Sequence, residues 1–481
     1  MKSTTQYIYT TLFINGVNSD LSVYALNKEW KLHKIYLCQS PYFETMFRDG
    51  SEWKESTKSS IEITVPDDRI NEKALFVAFG SFYKEDIEII PLEVVSVLAC
   101  ASLFSLDGLI LKCAEVMIEN INFKSVIGYY EASLTYGVKH VTDVTVKWLC
   151  HNLMSSNDFF LADLKLSLFE QILSYSDLLI IQVETDLYTL LKKWLYFQLN
   201  KPNGNQPIKI DKCFQKTCND FFKSFLENNK SNDSAIDDTS VFDLGSTSST
   251  FNESNQAIVT SLPHKDCLLD QPAFARYAKL FGKIRLQHIL TDASSLGVLY
   301  SDRIIPHAWI ERHYFRNWMH MIYIDQSPLS NDFEINKSDF NENCARYGRA
   351  LAEDSPATWR WVGFNYGIDL LVSHTNRSLT LKRNNQTPMQ NPLLQEDSPY
   401  KGLISQKATQ RIYYVMKVVQ LDSFGVEKWS KENELKCIDL NRNEERLVLK
   451  IDPSVEYPIL LNFRVIAHPH CVGNLVNSLF N

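Results

Sequence analysis

The sequence predicts a multidomain α+β protein in which a mixed α/β domain is followed by helices and then by a β-rich carboxy-terminal domain. Three observations lead to this prediction. Helical periodicity with short strands fills residues 1 to about 200. A polar, low-complexity stretch runs from there to Lys265, and alternation with a period of two dominates the chain after Gln271. No internal repeat is visible, which excludes a propeller or a solenoid.

The composition is that of a globular protein of about two to four domains. The chain has 481 residues, of which 45% are hydrophobic, and a net charge of −8. A chain this acidic lacks the basic stripe of a nucleic-acid-binding protein, so no direct nucleic-acid partner is expected. No segment has the roughly 18 uninterrupted apolar residues of a transmembrane helix. The amino terminus lacks a secretory signal, and the ten cysteines form no C-x-x-C pair, so we expect reduced thiols and a cytosolic or nuclear location.

The first 120 residues alternate between short strands and helices. Paired strands are predicted for "TTLFING" and "SDLSVYAL", and further strands for "EWKLHK", "SSIEITVPD" and "IEII". "KIYLCQSPYFETMF" predicts two helices, because Pro41 suits the first turn of the second. "EKALFVAFGSFYKE" predicts another helix, and the apolar run that begins at Leu92 predicts two more, broken near Ser105. The alternation of "YIYTTLFI" also predicts strand exchange between two copies of the chain.

A histidine and a cysteine, His33 and Cys38, stand close together in this region and raise the question of catalysis. A catalytic Cys-His site needs a third, orienting group and a cleft, and no nearby residue is placed to supply them. We therefore predict no catalytic residue here. Phe43 and Phe47, which are four residues apart, are interpreted as structural core residues of the helix.

Amphipathic helices are predicted to continue to about residue 199. Apolar residues recur at helical spacing through "INFKSVIGYYEASLTYGVKHVTDVTVKWLCHNLM", which predicts a helical hairpin hinged at Gly137. The stretch "LKLSLFEQILSYSDLLIIQVETDLYTLLKKWLYFQL" predicts further amphipathic helices. Residues 200–270 are then predicted to be a disordered linker or insertion, because a chain rich in Ser, Asn, Asp and Thr buries too little apolar surface to offset the entropy of ordering it.

Residues 271–481 are predicted to be helical at first and β-rich afterwards. "TWRWVGFNYGIDLLVSHTNRSLTLKR" alternates and breaks at Thr375–Arg377, which predicts a hairpin turn. "RIYYVMKVVQL", "ERLVLKI" and "YPILLNFRVI" predict further strands, with "DSFG" as a turn. The alternating aromatic cluster is interpreted as having one face in the sheet core, while its other face is a weaker candidate for a ligand platform. This cluster comprises Trp359, Trp361, Phe364 and Tyr366.

The order of the first elements, and the residues that form them, resemble the BTB/POZ domain. The matching stretches are "SDLSV", "LHK" leading into "LCQSPYFETMF", "IEITV", "FGSFYKEDIEI" and "VLACASLFSLDGLILKC", and they cover residues 8–121. The resemblance implies that His33 is a buried structural histidine. It also implies that Asp20 and Lys34 form the charged pair beneath the groove of a BTB homodimer.

Residues 122–199 resemble the BACK domain that commonly follows BTB, and the first helix pair corresponds to the three-box of Cullin-3 adaptors. The region that contains "CARYGRALAEDSPATWRWVGFNYGIDLLVSHTNRSLTLKR", together with "SEWKES" and "QVETDLYTLLKKW", resembles the germ cell-less family over nearly the whole chain outside the 200–270 insertion. The chain begins almost at the first BTB element, so we do not expect it to include an amino-terminal localisation segment of that family.

The resemblance implies a non-enzymatic adaptor that dimerises, binds Cullin-3 and recruits an unknown protein substrate for ubiquitination. The family is associated with germ-cell formation and gametogenesis, at the nuclear envelope or in the nucleus, with the cytoplasm as the other expected location. Two rival hypotheses remain. One is a BTB scaffold or transcriptional co-regulator at the nuclear envelope that acts without a cullin. The weaker one is a hydrolase in the carboxy-terminal domain, for which no nucleophile–base pair is apparent.

The sharpest candidate for a cullin-binding site is "EWKES". Cullin-3-binding BTB domains carry a hydrophobic-x-Glu motif at this place, and Trp53-Lys54-Glu55 matches it. A tryptophan on a polar loop suits an interface anchor, although it could instead fold back on its own domain. Tyr83 lies where such domains place another cullin-facing aromatic, and core packing is an equally good interpretation of it.

No cofactor and no metal site are expected. "HPHC", from His468 to Cys471, lacks the spacing of a structural zinc site and has no matching pair elsewhere in the chain. Cys213 and Cys218, in or near the predicted linker, are equally poor candidates. The chain has neither a G-x-x-x-x-G-K-[ST] loop nor a strand-linked G-x-G-x-x-G.

Overall fold

The computed structural model describes residues 3–47, 59–200, 216–222, 267–290, 293–326, 335–363, 367–384, 405 and 407–467. These residues belong to two compact units, Met1–Leu149 and Cys150–Asn481. The α+β class predicted from the sequence is confirmed: the first unit is mixed, helices follow, and antiparallel sheets dominate the carboxy-terminal part.

The first unit contains a three-stranded sheet and a set of helices. Strand β1 (Leu21–Ala25) forms an antiparallel hairpin with β2 (Lys28–Leu32), and β3 (Ser60–Glu62) joins β1 in parallel. The helices are α1 (Thr4–Ile8), α2 (Lys34–Leu37), α3 (Pro41–Phe47), α4 (Glu72–Ser81), α5 (Val94–Leu103), α6 (Asp107–Glu119) and α7 (Val126–Thr135). Most of these elements agree with the alternation and helical periodicity of the sequence.

The core of this unit is almost entirely apolar. Val23 on β1 and Ile61 on β3 pair across the sheet and are both buried. Phe79 of α4 and Phe104, which follows α5, lie with ring centroids 5.4 Å apart. Burial of large side chains from sheet and helices in one cluster is the main source of stability for such a unit.

Two strand predictions at the front of the chain are wrong. "TTLFING", predicted to be a strand, lies mostly in a π-helical turn, Tyr9–Ile14, that follows α1. Tyr9 and Phe13, four residues apart, thereby face the same side, and their rings approach Gly80 on α4. The structure therefore does not support strand exchange through "YIYTTLFI". "IEII" is likewise outside any strand, although Ile87 and Ile89 are buried.

The predicted helical hairpin hinged at Gly137 is present. Helix α7 ends at Thr135, Gly137 has a φ of +72°, and α8 (Lys139–Asn152) begins two residues later. A left-handed residue is tolerated best as glycine because it has no Cβ. The boundary between the two compact units falls within α8, inside the residues predicted to form a BACK domain.

The second unit continues with α9 (Asp158–Asp163), α10 (Leu166–Ser174) and α11 (Glu184–Leu199). A helix at residues 216–222, here α12, lies within the predicted linker and buries Cys218 and Phe222. The rest of residues 201–266 lies outside the described part of the chain. Further helices are α13 (Ala278–Phe281), α14 (Ala293–Asp302), α15 (His307–Gln326) and α16 (Lys337–Asn343).

Two antiparallel sheets complete the second unit. One has the strand order β10-β8-β12-β4, with β9 also paired to β8, and the other has the order β11-β7-β6-β5. The strands are β4 (Ala345–Leu351), β5 (Ala357–Gly363), β6 (Ile368–Thr375), β7 (Ser378–Arg383), β8 (Thr409–Leu421), β9 (Glu427–Glu432), β10 (Lys436–Asn441), β11 (Glu445–Lys450) and β12 (Ile459–Ala467). The predicted turn is present between β6 and β7, where Asn376 and Arg377 both have positive φ.

Side chains from both sheets share one apolar core. Trp361 of β5 stacks on Tyr347 of β4 and Phe463 of β12, with centroid distances of 5.2 and 5.4 Å. The helical part joins the sheet through Gly348 of β4, whose backbone exchanges two hydrogen bonds with Gln182. A Cβ at position 348 would lie 1.6 Å from the carbonyl oxygen of Ile180, so only glycine allows this approach.

Candidate functional site

The His33 imidazole is buried in the first unit and is held from both sides. Its Nε2 lies 3.0 Å from the carbonyl oxygen of Val17, and its Nδ1 lies 3.0 Å from the hydroxyl of Tyr83. A carbonyl can only accept, so Nε2 carries the proton and donates it to Val17. The Tyr83 hydroxyl then donates to Nδ1 and accepts the backbone N–H of His33 at 3.0 Å. This closed set of bonds fixes the start of α2.

Asp20 and Lys34, the expected charged pair of the dimer groove, lie next to this site. The Asp20 carboxylate accepts the backbone N–H of Lys34 at 2.8 Å and so caps the start of α2, where backbone N–H groups lack acceptors within the helix. The Lys34 Nζ lies 5.4 Å from the ring centroid of Phe47. The groove role needs a second copy of the chain, so it stays a prediction.

Tyr83, expected to face a cullin, lies in the interior of its own unit. It is 4% exposed, and its ring lies between Tyr36 and Phe13, with centroid distances of 4.6 and 5.3 Å. Burial raises the pKa of its hydroxyl, which keeps the proton needed for the bond to His33. A cullin contact by Tyr83 remains a prediction, and the structure places its ring in the core of its own unit.

The two phenylalanines assigned to the core differ in burial. Phe43 is 0% exposed, and its ring lies 5.3 Å from that of Phe104 and 6.0 Å from that of Phe82. Phe47, one turn later, is half-buried and stacks on Phe43 at 6.1 Å. Helix α3 therefore buries its Phe43 side, and Phe47 covers the edge of the core.

Trp53 and Glu55, the other two residues of the predicted cullin-binding site, lie outside the described residues. The described chain stops at Phe47, the last residue of α3, and resumes at residue 59. Their assignment therefore continues to depend on the sequence motif and on the BTB framework that precedes it.

The cysteine beside His33 has the wrong environment for a nucleophile. Cys38 follows α2, and burial raises the pKa of its thiol, with a further contribution from Glu44. A raised pKa lowers the thiolate fraction at neutral pH, which is the reactive form. Within the described residues no three His, Cys, Asp or Glu side chains are grouped as metal ligands, while His468–Cys471 and Cys213 lie outside those residues.

The aromatic cluster of β5 contributes to the core between the two sheets. Trp359 and Trp361 are both buried, while Phe364 and Tyr366 lie outside the described residues. The burial of both tryptophans leaves neither indole as an open ligand platform.

Sequence reasoning missed the charged interior of the second unit. Glu184 at the start of α11 is 1% exposed and accepts two hydrogen bonds from Arg346 of β4, one of them 3.0 Å long, and the backbone N–H of Arg285 at 3.0 Å. Burial opposes ionisation of Glu184, but Arg346 and Arg285 overcome that cost and hold the pKa of the carboxyl below its usual value. The local sequence does not predict this buried ion pair, because Glu184 and Arg346 are 162 residues apart.

Comparison with known proteins agrees with this architecture. The family model of the BTB/POZ domain matches residues 9–121, where the sequence predicted 8–121. The chain is 36% identical to human Germ cell-less protein-like 1 over 94% of this chain and 78% of that protein. It is 32% identical to Protein germ cell-less of Drosophila melanogaster, over 96% of this chain and 77% of that protein. Among the described residues, no helix has the length and apolar character required to cross a membrane.

Proposed function

The chain belongs to the germ cell-less family of BTB adaptor and scaffold proteins, and from this membership we propose that it recruits substrates to a Cullin-3 RING E3 ubiquitin ligase. One observation carries the proposal: the chain has a BTB/POZ domain and is similar to germ cell-less proteins along both of its units. In this role the chain is not an enzyme. Catalysis belongs to the cullin-bound RING protein and its E2, and the adaptor contributes proximity between E2 and substrate.

The proposed cullin contact uses Trp53 and Glu55 on the segment that follows α3. An exposed indole that becomes desolvated on binding is a typical interface anchor, and a carboxylate beside it adds charge-assisted hydrogen bonds. The packed α3 helix supports the proposal, because Phe43 fixes the helix from which this segment departs.

Self-association is the second part of the proposal. Three large apolar side chains of the first unit are strongly exposed near its amino terminus and α2: Tyr7, Ile14 and Ile35, the last at 78%. Apolar side chains in water favour a protein partner. A homodimer through this region would make the ligase bivalent, which raises its avidity for substrates and cullins.

The second unit is proposed to recruit the protein substrate. Germ-cell formation or gametogenesis is the proposed setting, in the nucleus or at the nuclear envelope, because the similar proteins carry the name germ cell-less. The alternative is a BTB scaffold or transcriptional co-regulator that uses the same dimer without a cullin. Co-purification of a cullin with the full chain separates the two.

The deciding experiment is calorimetric titration of the full chain with the amino-terminal domain of Cullin-3. The double variant Trp53→Ala/Glu55→Ala is expected to lose about 30- to 1000-fold in affinity, which corresponds to about 2–4 kcal/mol for an anchor residue. Lys54→Ala changes the unconstrained middle position of the same motif and serves as the matched control, with unchanged affinity expected.

Two results would contradict the proposed contact. One is wild-type affinity of the double variant. The other is loss of affinity together with a collapsed melting temperature, which would mean that Trp53 packs against its own unit. Absence of binding by the wild-type chain would favour the scaffold alternative.

A further inference from the structure

A cavity of about 550 Å³ lies in the second unit, among α10, the segment after α13, α15 and α16. Its size is within the usual range for ligand sites, which is about 300–1,000 Å³. The lining is unusual for such a site because most of it is polar. It includes hydroxyl and amide side chains such as Ser176, Ser338 and Asn341, residue types that carry hydrogen-bond donors suited to an anion.

Cations predominate among the charged side chains of this lining. Lys283, Arg285, Arg316 and Arg346 line the cavity, and within the part of the chain that the structure describes Glu342 is the one carboxylate of the lining. Arg346 is already neutralised by Glu184 behind it. Among the described residues of the lining, the other three cations outnumber the single carboxylate, so the lining carries a net positive formal charge.

Arg285 is held rigidly within this cavity. Its guanidinium donates to the backbone carbonyls of Cys344 and Asn341, and its Nη1 lies 3.0 Å from the Cys344 Sγ. Carbonyl oxygens orient a guanidinium without cancelling its formal charge. A cation fixed before binding loses little conformational entropy when an anion arrives.

His313 adds an incompletely satisfied group to the same lining. Its Nδ1 is shielded from water and has no hydrogen-bond partner among the described residues. Burial, with Arg316 and Arg312, lowers the pKa of the imidazole to about 4, so the ring is neutral at pH 7. A buried polar atom without a hydrogen-bond partner lowers the stability of the fold. A ligand that shifts the side chains around His313 would be able to supply a hydrogen bond to its Nδ1.

We propose that this cavity binds a phosphorylated side chain of a partner protein. A phosphoryl group carries about −1.5 to −2 charges at pH 7 and has three strong acceptor oxygens, which matches several cations among hydroxyl and amide donors. A carboxylate carries one charge and would use fewer of these donors. The cavity is much larger than a phosphate ion, so it has room for the residues that flank the modified side chain.

The identity of the ligand as a segment of a recruited protein rests on the proposed function, whereas the preference for a phosphoryl group rests on the lining alone. Lys283 is exposed at the cavity and makes no ion pair or side-chain hydrogen bond among the described residues. It is therefore the cation that can be changed with least risk to folding.

The test uses the full chain and three fluorescein-labelled peptide libraries with degenerate flanking positions. The central residue is phosphoserine in the first library, glutamate in the second and serine in the third. Fluorescence anisotropy is expected to show at least about tenfold tighter binding of the phosphoserine library, since charge-assisted bonds are about twice as strong as neutral ones. Inorganic phosphate at millimolar concentration is expected to compete.

Three variants locate the site. Lys283→Glu is expected to weaken phosphoserine binding about tenfold or more, since it replaces an attraction with a repulsion near the anion. Glu342→Gln is expected to tighten it, because it removes the opposing carboxylate. Lys428→Glu makes the same charge change at an exposed lysine of β9, away from the cavity lining, and should leave binding unchanged.

Equal binding of the phosphoserine and serine libraries would overturn the proposal, as would equal weakening by Lys283→Glu and Lys428→Glu. Equal binding of the glutamate library would overturn the phosphoryl preference. Binding of Cullin-3 is measured on the same preparations. A chain that discriminates the libraries but does not bind Cullin-3 would contradict the ligase function and leave this site standing.

Discussion

The two compact units use buried polarity in different ways. In the described residues of Met1–Leu149, no Asp, Glu, Lys or Arg is buried, and the buried polar side chains are those of His33 and four Ser or Thr residues. Among the residues of Cys150–Asn481 that the structure describes, eight charged side chains are buried: Glu184, Lys192, Asp302, Arg346, Asp369, Arg383, Lys417 and Arg464. The first unit is therefore stabilised mainly by apolar packing, and the second adds a set of paired charges.

The buried charges of the second unit join elements that are distant in sequence. Lys192 of α11 binds Asp302 at the end of α14, and Lys417 of β8 lies 3.1 Å from Asp177. Each pairing favours one arrangement of the elements that it joins, since an unpaired charge in the interior is costly. Apolar patterning therefore suffices for a small unit built from neighbouring elements. The larger β-rich unit combines apolar patterning with buried charge pairs between residues that are distant in sequence.

The largest effect is expected in the first unit, from Phe43→Ala. Phe43 is fully buried against Phe104 and Phe82, so the substitution removes transfer free energy and leaves a cavity, at a cost of about 3–5 kcal/mol. Chemical denaturation of the full chain measures it. Phe47→Ala, at the half-buried neighbour, should cost clearly less. Equal losses at the two positions would contradict an apolar core centred on Phe43.

The next effect tests the second unit, through Glu184→Gln. The amide keeps the shape of the side chain but leaves the buried Arg346 charge uncompensated, so a loss near the lower end of about 3–5 kcal/mol is expected. The denaturation transition of the second unit should shift. Lys279→Ala breaks an exposed 3.0 Å pair with Glu170 and should cost less than about 1 kcal/mol. Similar losses for both would show that burial of the pair is unimportant.

The smallest effect concerns the buried polar site of the first unit, through Tyr83→Phe. The change leaves the backbone N–H and the Nδ1 of His33 without their partner, which should cost about 1–3 kcal/mol. Thermal denaturation measures the loss, and the imidazole ¹⁵N shifts of His33 should move. Tyr36→Phe, which removes a hydroxyl with no hydrogen bond among the described residues, should be nearly neutral. Unchanged ¹⁵N shifts in Tyr83→Phe would contradict the assigned bonds.

The sequence by itself determined the elements whose signals are local. The periodicity of the stretch after Leu92 predicted α5 and α6, and the break at Asn376 and Arg377 predicted the turn between β6 and β7. The motif similarity of the first 121 residues also located the BTB/POZ domain. These signals are local because helical turns and tight hairpins are decided by residues within a few positions of each other.

Only the tertiary structure decided the features that depend on distant partners. "TTLFING" alternates like a strand, yet it is helical because Tyr9 and Phe13 pack on α4, more than sixty residues away. The pairing of Glu184 with Arg346 and the cationic cavity around Arg285 have no sequence signature, since their residues come together only when the helices pack against β4. Local pattern fixes an element, but a tertiary contact can override a weak pattern and alone decides which charges meet.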